Sequence, residues 1–340
     1  MPSSTSSSEP ARGGHWLLSG VVTLLVAAGL TLAVERYWRG KDYRPGLLDS
    51  PQLWSIQRDR VYDDERIPLV LLGASRIEFS VDMPLLAQLL PRYKPVMLAI
   101  NAHNPLATLR DLAYDEKFKG VILCDVDARG MTRRYWEMQA AHNTYYRTQW
   151  NLSWRVHRLL LNVWQRHAVV ANPDFGAAAT AKRWLSNGPA PFKGYHVFRR
   201  DRSGDIHFDQ TDVKALTAHF EQDLNNSLFT KALETPEEWL APLAEVNDWV
   251  RRIQQRGGKV IFYETPTAGT LRKMAQMSYP RSLYWDRFAA TTPAATLHYA
   301  DVPALEAAPL PDQSHSDYRD KPQYTRDLVD ALVQRGLLER

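Results

Sequence analysis

The 340-residue chain contains a single cysteine, Cys124, which excludes an intrachain disulfide framework. Cys124 lies in an apolar run and is predicted to be a buried strand residue. The net charge is only +4 and there is no dense stripe of Lys and Arg, so nucleic acid is not expected as a partner. Metal-ligand spacings and a glycine-rich phosphate loop are also missing, so neither a metal nor a cofactor is expected.

One long hydrophobic run stands out near the N-terminus. Residues Trp16 to Val34 carry no charge, and the run is close to the roughly 20 residues that a helix needs to cross a bilayer. Trp16, Tyr37 and Trp38 lie at its ends, where interfacial aromatic residues are common. No Ala-x-Ala cleavage site follows, which favours an uncleaved anchor over a signal peptide. A buried helix of a soluble protein is the alternative.

The charges that flank this run bear on orientation. Only Arg12 precedes it, whereas four basic residues follow it closely: Arg36, Arg39, Lys41 and Arg44. The positive-inside rule alone would place the larger part of the chain in the cytoplasm.

Composition divides the chain into four parts. A Ser-, Pro- and Gly-rich start is predicted to be disordered, and a polar stalk is predicted between the membrane anchor and the main domain. Within the main domain, a stretch rich in Trp, Tyr, Arg and His is interpreted as a helical insertion packed over a sheet. The predicted bounds are 1–14 for the tail, 15–37 for the anchor, 38–65 for the stalk, 66–338 for the domain and about 130–232 for the insertion.

Strand-like and helix-like patterns alternate through the main domain. This order predicts an α/β fold with a parallel sheet and helices on both faces. The predicted strands are Ile67–Leu72, Val96–Ile100, Val121–Cys124 and Lys259–Tyr263. The predicted helices include Met83–Leu90 with Ser80 or Asp82 as N-cap, Pro105–Tyr114 with Asn104 as N-cap, one opened by a capping box at Thr235–Glu238, and Thr325–Gln334.

Polar residues follow the predicted strands at their carboxyl ends, where open parallel sheets form their sites. Ser75 follows the first strand in Gly73-Ala74-Ser75-Arg76. Near the other end of the chain stands Asp312-Gln313-Ser314-His315. A serine hydroxyl is a weak nucleophile unless a base takes its proton and a third group orients that base. These segments together predict such a constellation, although either alone is common.

At these segments the chain resembles the SGNH/GDSL hydrolases. Gly73-Ala74-Ser75-Arg76 is similar to their Gly-Asp-Ser-Leu block, and Asp312–His315 resembles their final Asp-x-x-His block. Leu98-Ala99-Ile100-Asn101-Ala102-His103-Asn104-Pro105 resembles the second block of membrane-anchored members. The resemblance covers about 65–125 and 235–338. It implies a three-layer α/β/α, flavodoxin-like sheet.

The resemblance also implies roles for particular residues. Ser75 would be the nucleophile, His315 the general base and Asp312 its orienter. Backbone N–H groups of Ser75 and Ala102, helped by an Asn101 or Asn104 amide, would bind the oxyanion. Arg76 and His103 would line the substrate site; a structural ion pair and a structural histidine are the alternatives.

Two positions depart from the family pattern. Ala102 stands where a glycine is usual, and Asp125-Val126-Asp127 replaces the Gly-x-Asn-Asp of the third block. An ionised carboxylate cannot donate a hydrogen bond to an oxyanion, so the third block raises the alternative of an inactive site.

The resemblance implies an esterase or O-acyltransferase that forms an acyl-serine intermediate. Membrane-anchored relatives suggest an acylated, in particular acetylated, cell-envelope polysaccharide as substrate. They also suggest an extracytoplasmic domain, against the flanking charges. Residues 16–34 would contact the lipid bilayer, and envelope-assembly proteins are candidate partners. The alternatives are an inactive glycan-binding or assembly module and a lipid-directed esterase with an acyl tunnel.

Overall fold

The computed structural model describes residues 13–62, 65–191, 193–228 and 234–340. Most of the tail predicted at 1–14 therefore lies outside the described residues. The chain divides into two compact units. The first, here named the anchor unit, holds the N-terminal residues up to Leu48 together with Leu160–Lys193. The second, the α/β unit, holds Asp49–Leu159 and Gly194–Arg340.

A parallel five-stranded sheet forms the centre of the α/β unit, in the strand order β2-β1-β3-β6-β7, and β4 and β5 form a separate antiparallel pair. The order reverses between β1 and β3, which is the switch point of a doubly wound sheet. The strands are β1 Ile67–Leu72, β2 Tyr93–Met97, β3 Val121–Asp125, β4 His196–Phe198, β5 Gly204–Ile206, β6 Lys259–Glu264 and β7 Ala295–His298.

The α-helices are α1 Gly13–Gly40, α2 Pro51–Asp59, α3 Ser75–Ser80, α4 Met83–Leu89, α5 Leu106–Ala113, α6 Ala140–Thr148, α7 Leu152–His167, α8 Ala177–Ser186, α9 Val213–Leu228, α10 Pro236–Leu240, α11 Leu243–Gln255, α12 Gly269–Ser278, α13 Trp285–Thr291, α14 Pro303–Glu306 and α15 Lys321–Gln334. Short 3₁₀ helices occupy Arg133–Tyr135, Val169–Ala171, Pro173–Phe175, Phe208–Gln210 and Tyr299–Asp301.

Successive residues of each central strand enter different cores, because side chains alternate across a sheet. Val70 and Leu72 pack with α2, α5 and α11 on one face, whereas Leu69 and Leu71 pack with α4 and α15 on the other. Both faces are covered by helices, so the strands can be apolar throughout. The predicted α/β fold with a parallel sheet is confirmed.

The predictions of caps and strand ends were only partly correct. The capping box at Thr235–Glu238 and the Asp82 cap of α4 are both present. The predicted strand Val96–Ile100 is shifted, since β2 ends at Met97. The Asn104 N-cap is wrong, because Pro105 occupies that position and no side chain caps α5. Strand β7 was not predicted, because it has only four residues and two of them are polar, which is too short a stretch to show a strand pattern.

The described residues of the predicted polar stalk at 38–65 include a buried helix. Ser50 caps helix α2, and its hydroxyl accepts a hydrogen bond from the Leu53 N–H. Leu53 and Trp54 are buried, and the Trp54 indole donates to the Leu98 carbonyl at 3.1 Å. The predicted stalk is therefore divided: its residues up to Leu48 belong to the anchor unit, and α2, with two large apolar side chains in a polar stretch, belongs to the α/β unit.

The anchor unit is built around α1. Within the described residues, Trp16–Gly40 is a helix long and apolar enough to span a membrane. Its side chains are exposed from Trp16 to Ala33, after which Val34 and Trp38 pack against the segment Val169–Phe175. Residues 160–193 were predicted to belong to an insertion over the sheet, but they cluster with α1 instead.

A candidate serine-centred active site

A strand, a sharp turn and a helix present Ser75. Gly73 has a φ of +153°, and a Cβ there would lie 2.6 Å from Ile77 Cγ2 and 2.9 Å from Asp125 Cβ. Only glycine fits this turn without displacing the packed core. Ser75 is the first residue of α3 and lies at the carboxyl end of β1, beside the switch point of the sheet.

Three of the predicted site residues form one chain of hydrogen bonds. The Ser75 hydroxyl donates to Nε2 of His315 at 2.8 Å. The Nδ1–H of His315 donates to Oδ2 of Asp312 at 2.7 Å. These bonds assign the tautomer, with the proton on Nδ1 and the lone pair of Nε2 directed at the serine. The arrangement is that of an activated nucleophile, its base and an orienting carboxylate.

The loop that carries Asp312 and His315 is held by its own backbone. Oδ1 of Asp312 accepts from the N–H groups of Ser314 at 2.9 Å and His315 at 2.7 Å. Gln313 adopts a φ of +71°, and its carbonyl accepts from the Ala268 N–H. Burial acts to raise the pKa of Asp312, but His315 and the two backbone donors outweigh it and lower that pKa. The orienting carboxylate is therefore ionised at neutral pH.

Aromatic rings support the base. The Phe79 ring meets the His315 imidazole edge-on, with ring centroids 6.0 Å apart. On Phe79 stacks a second imidazole, His196, at 5.0 Å. Burial, and then the nearby His315, lowers the pKa of His196 to about 4. His196 is therefore neutral at neutral pH and adds no charge that would compete with His315.

The second block forms a tight turn at the end of β2. The His103 N–H donates to the Ile100 carbonyl at 3.0 Å, and Ala102 between them has a φ of +60°. This left-handed conformation favours glycine, and it strains an alanine by roughly 1–2 kcal/mol. Asn101 and Ala102 are both exposed. The alanine at this position therefore adopts a backbone angle that favours glycine.

Three other predicted residues have contacts away from the serine. The His103 ring donates through Nδ1 to the Asn101 carbonyl at 2.7 Å. The Asn104 amide lies 3.5 Å from the Met138 sulfur. Arg76 forms an ion pair of 2.6 Å with Asp127. The structural alternative for Arg76, an ion-pair partner, is therefore the one observed.

The third block places carboxylates where the family pattern has a donor amide. Asp125 accepts from the hydroxyl of Thr265 at 2.8 Å, and burial raises its pKa to about 6. Asp127 accepts from Arg76 and from the Gly130 N–H at 2.7 Å. Burial, together with Asp127, raises the pKa of Glu264 to about 8. The cluster is held by internal partners of its own.

A cavity of about 130 Å³ adjoins this carboxylate cluster. Its walls include Asp127, Glu264 and Arg281 along with apolar Leu271 and Trp285. Neither Ser75 nor His315 lines it. It is therefore a pocket at the same sheet edge that does not include the candidate nucleophile.

Sequence reasoning missed Gln139, which lies in the predicted insertion. Its fully buried amide Nε2 donates to the carbonyls of Gly73 and His103, at 3.0 Å in both cases. It thereby ties the nucleophile turn to the second-block turn. A lone glutamine in an irregular stretch carries no signal that would have identified it.

Arg202 was missed for the same reason. Its guanidinium is fully buried and donates to the Ala99 carbonyl at 2.8 Å and to both carboxylate oxygens of Asp49. It also reaches Glu78 at 3.4 Å, and burial raises the pKa of Glu78 to about 8. Arg202 thus fixes the backbone just after β2, at the Ala99 carbonyl. Its partners come from distant parts of the chain.

The described residues contain no group of three or more His, Cys, Asp or Glu side chains suited to a metal ion. Comparisons of the chain with protein-family models, with curated proteins and with solved structures give no match.

Proposed function

We propose that this protein is a serine esterase or O-acyltransferase of the SGNH type. The observation that carries the proposal is the hydrogen-bonded chain from Ser75 through His315 to Asp312. Residues 240 positions apart meet within 2.8 Å at the switch point of a doubly wound sheet. The Gly73 turn and the Asp312 loop, both shaped by special backbone angles, support the same interpretation.

The chemistry is acyl transfer in two steps. Ser75 Oγ attacks the carbonyl carbon of an ester while His315 Nε2 takes the hydroxyl proton. The tetrahedral intermediate then expels the alcohol, which receives that proton from His315, and an acyl-serine remains. Water, or the hydroxyl of an acceptor, then attacks the acyl carbon with His315 again as base. The bond to Ser75 Oγ breaks, His315 returns the proton to that oxygen, and the acid or the new ester is released. Asp312 stabilises the imidazolium in each step.

The oxyanion would be bound by backbone groups. The Ser75 N–H belongs to the first turn of α3, where a helix supplies no internal acceptor for its amides. The exposed second-block turn brings Ala102 as the other donor. Asn101 is exposed and remains a candidate third donor, whereas Asn104 contacts Met138. Asp125 and Asp127 have internal partners and are assigned no donor role.

The substrate class follows from the resemblance and the anchor. A single α1 span would hold the protein in the cytoplasmic membrane, with the α/β unit on the extracytoplasmic side. Acylated, in particular acetylated, envelope polysaccharide is the proposed substrate. A glycan hydroxyl can be the leaving alcohol when an ester is hydrolysed and the acceptor when an acyl group is transferred.

The second candidate is an inactive SGNH-type module that binds glycans or assembles envelope proteins. The observation that favours it is the replacement of the third-block donor by Asp125 and Asp127. In that case the serine–histidine pair would persist as a structural hydrogen bond.

Fluorophosphonate labelling of the full-length protein in detergent micelles tests the proposal. We expect covalent labelling of the wild type, and loss of labelling in Ser75→Ala and in His315→Ala, because only an activated serine attacks the probe. Ser80→Ala, a buried serine of the same helix, is the matched control and should label normally. A folded wild-type protein that does not label would favour the inactive module.

A further inference from the structure

In part of α7, polar side chains are buried and apolar side chains are exposed. In its second half, which belongs to the anchor unit, Asn162 and Gln165 are buried at 6% and 3% exposure. Leu160 on the same helix is 68% exposed, and Val163 and Trp164 are about half exposed. A helix of a water-soluble domain ordinarily buries its apolar stripe. We therefore expect an apolar surface outside the anchor unit to cover the exposed stripe.

Helix α8 of the same unit ends in a similar way. Trp184 is 57% exposed and Leu185 is 88% exposed. Together with Leu160, Val163 and Trp164, these residues are named the apolar collar. Large apolar side chains concentrated on a small unit mark an interaction surface.

Both parts of the collar are fixed to the end of the apolar run in α1. Glu35 of α1 accepts from the N–H groups of Val169 and Val170, just beyond α7. Arg39 donates to the His167 carbonyl at 2.8 Å. On the α8 side, the Trp184 ring meets Tyr37 edge-on at 5.2 Å. The collar is therefore attached within about two helical turns of the last exposed residues of the span.

This attachment fixes the level of the collar relative to a bilayer. A helix rises 1.5 Å per residue, so Glu35 to Arg39 lie within roughly 10 Å of the end of the apolar run at Val34. The headgroup region on each side of a bilayer is roughly 5–8 Å thick. A span that crosses the membrane would thus carry the collar at the boundary between headgroups and acyl chains.

The net charge of the anchor unit also favours a membrane as the surface that covers the collar. Basic residues outnumber acidic ones among residues 35–48 and 160–193 of the anchor unit. The basic residues are Arg36, Arg39, Lys41, Arg44, Arg166, Lys182, Arg183 and Lys193, and the acidic residues are Glu35, Asp42 and Asp174. An apolar face with tryptophans and an excess of basic residues is typical of surfaces that lie in an anionic membrane interface.

We propose that the apolar collar is embedded in the interface of the membrane that α1 spans, so that the anchor unit rests on anionic lipid. This inference depends on the membrane anchor proposed above. A second copy of the chain would also cover apolar residues, but the level of the collar and the basic excess favour lipid.

Site-directed fluorescence quenching tests the embedding. The native Cys124 is fully buried, so single cysteines can be labelled selectively with an environment-sensitive dye. Leu160→Cys and Leu185→Cys report on the collar, Leu25→Cys on the span, and Met277→Cys on an equally exposed residue of the α/β unit (72% exposed). Full-length protein is placed in nanodiscs of phosphatidylcholine and phosphatidylglycerol that contain nitroxide lipids.

We expect a nitroxide at the headgroup or upper acyl chain to quench the dye at Leu160→Cys and Leu185→Cys at least about twofold more than at Met277→Cys, as for a surface within the interface. A nitroxide near the chain end should quench Leu25→Cys. Collar dyes that stay as accessible to water as Met277→Cys would overturn the inference while leaving the anchor intact. Collar dyes that are shielded from water but not quenched would also overturn it, and would indicate a protein neighbour. An unquenched Leu25→Cys would overturn the anchor itself.

Discussion

Helices α7 and α11 are both amphipathic, yet they bury opposite kinds of side chain. Helix α11 covers the sheet with Val246, Trp249 and Val250 and directs charged residues to solvent. In its second half, α7 buries Asn162 and Gln165 and exposes its apolar stripe. The difference teaches that a hydrophobic period predicts a helix but leaves open which stripe faces the protein. That choice depends on whether the surroundings are water or an apolar phase.

Buried polar groups differ between the two units in the same way. In the α/β unit, Arg202, Gln139 and Asp312 are buried near the strand ends and hold the loops of the candidate site. In the anchor unit, Asn162 and Gln165 lie on the buried face of α7. The first set positions the loops of the candidate site, whereas the second lies on the same helix as an exposed apolar stripe.

The largest expected effect comes from one substitution made in both helices. Val250→Asp places a carboxylate in a dry core and should lower the free energy of unfolding by more than about 4 kcal/mol, because a buried unpaired charge is among the most destabilising changes. Val163→Asp, on the exposed stripe of α7, should change it by less than about 0.5 kcal/mol in micelles. Thermal and urea unfolding of the full-length protein measure both. Similar losses at the two positions would break the comparison.

Next in size is the removal of a buried guanidinium from the strand-end set. Arg202→Met leaves Asp49 and Glu78 without their partner and should destabilise the protein by about 3–5 kcal/mol. Where the variant still folds at low temperature, fluorophosphonate labelling of Ser75 should slow, because the second-block turn loses its support. Arg200→Met, an exposed neighbour, is the control and should behave as wild type. Unchanged stability would show that Arg202 does not stabilise the backbone that follows β2.

A pH-dependent effect is expected from Glu264. Burial raises its folded pKa to about 8 from an ordinary value of 4.5, so the folded state holds this proton more tightly than the unfolded state. Its contribution to stability is therefore complete below about pH 4.5 and is lost as the pH rises toward 8. Glu264→Gln should flatten this part of the profile. Urea midpoints at several pH values across this window measure it, and an equally steep profile in the variant would contradict the assignment.

The smallest effect is a gain. Ala102→Gly should raise the free energy of unfolding by about 1 kcal/mol, because glycine adopts a φ of +60° without strain. Ala99→Gly, at a buried position of the same block, is the comparison and should destabilise. A loss of stability in Ala102→Gly would mean that the turn is not strained.

Much of the fold could be predicted from local patterns. The apolar run Ile67–Leu72, the capping box at Thr235 and the N-terminal hydrophobic run each act over a few residues, and each was identified correctly as an element. Strand β7 and helix α2 were missed because a short or polar stretch carries too few apolar positions to show a period. The two turns of the site were identified as motifs, but the left-handed angle at Ala102 required the structure.

The supporting side chains could not be predicted, since their partners are far away in sequence. Arg202 bonds to Asp49 across 153 positions, and Gln139 bonds to Gly73 across 66. Burial of a polar group is stable only when such partners are in place, and a single sequence contains no record of that pairing.

The sequence by itself determined where the apolar span, the central strands β1, β3 and β6, and the Ser75 and His315 segments lie, because hydrophobic periodicity and turn chemistry are local properties of the chain. Only the tertiary structure decided that Ser75 meets His315 and that the apolar stripe of α7 faces outward. Both depend on the order in which strands cross over and on which surfaces remain uncovered, and these are outcomes of long-range packing that no local pattern specifies.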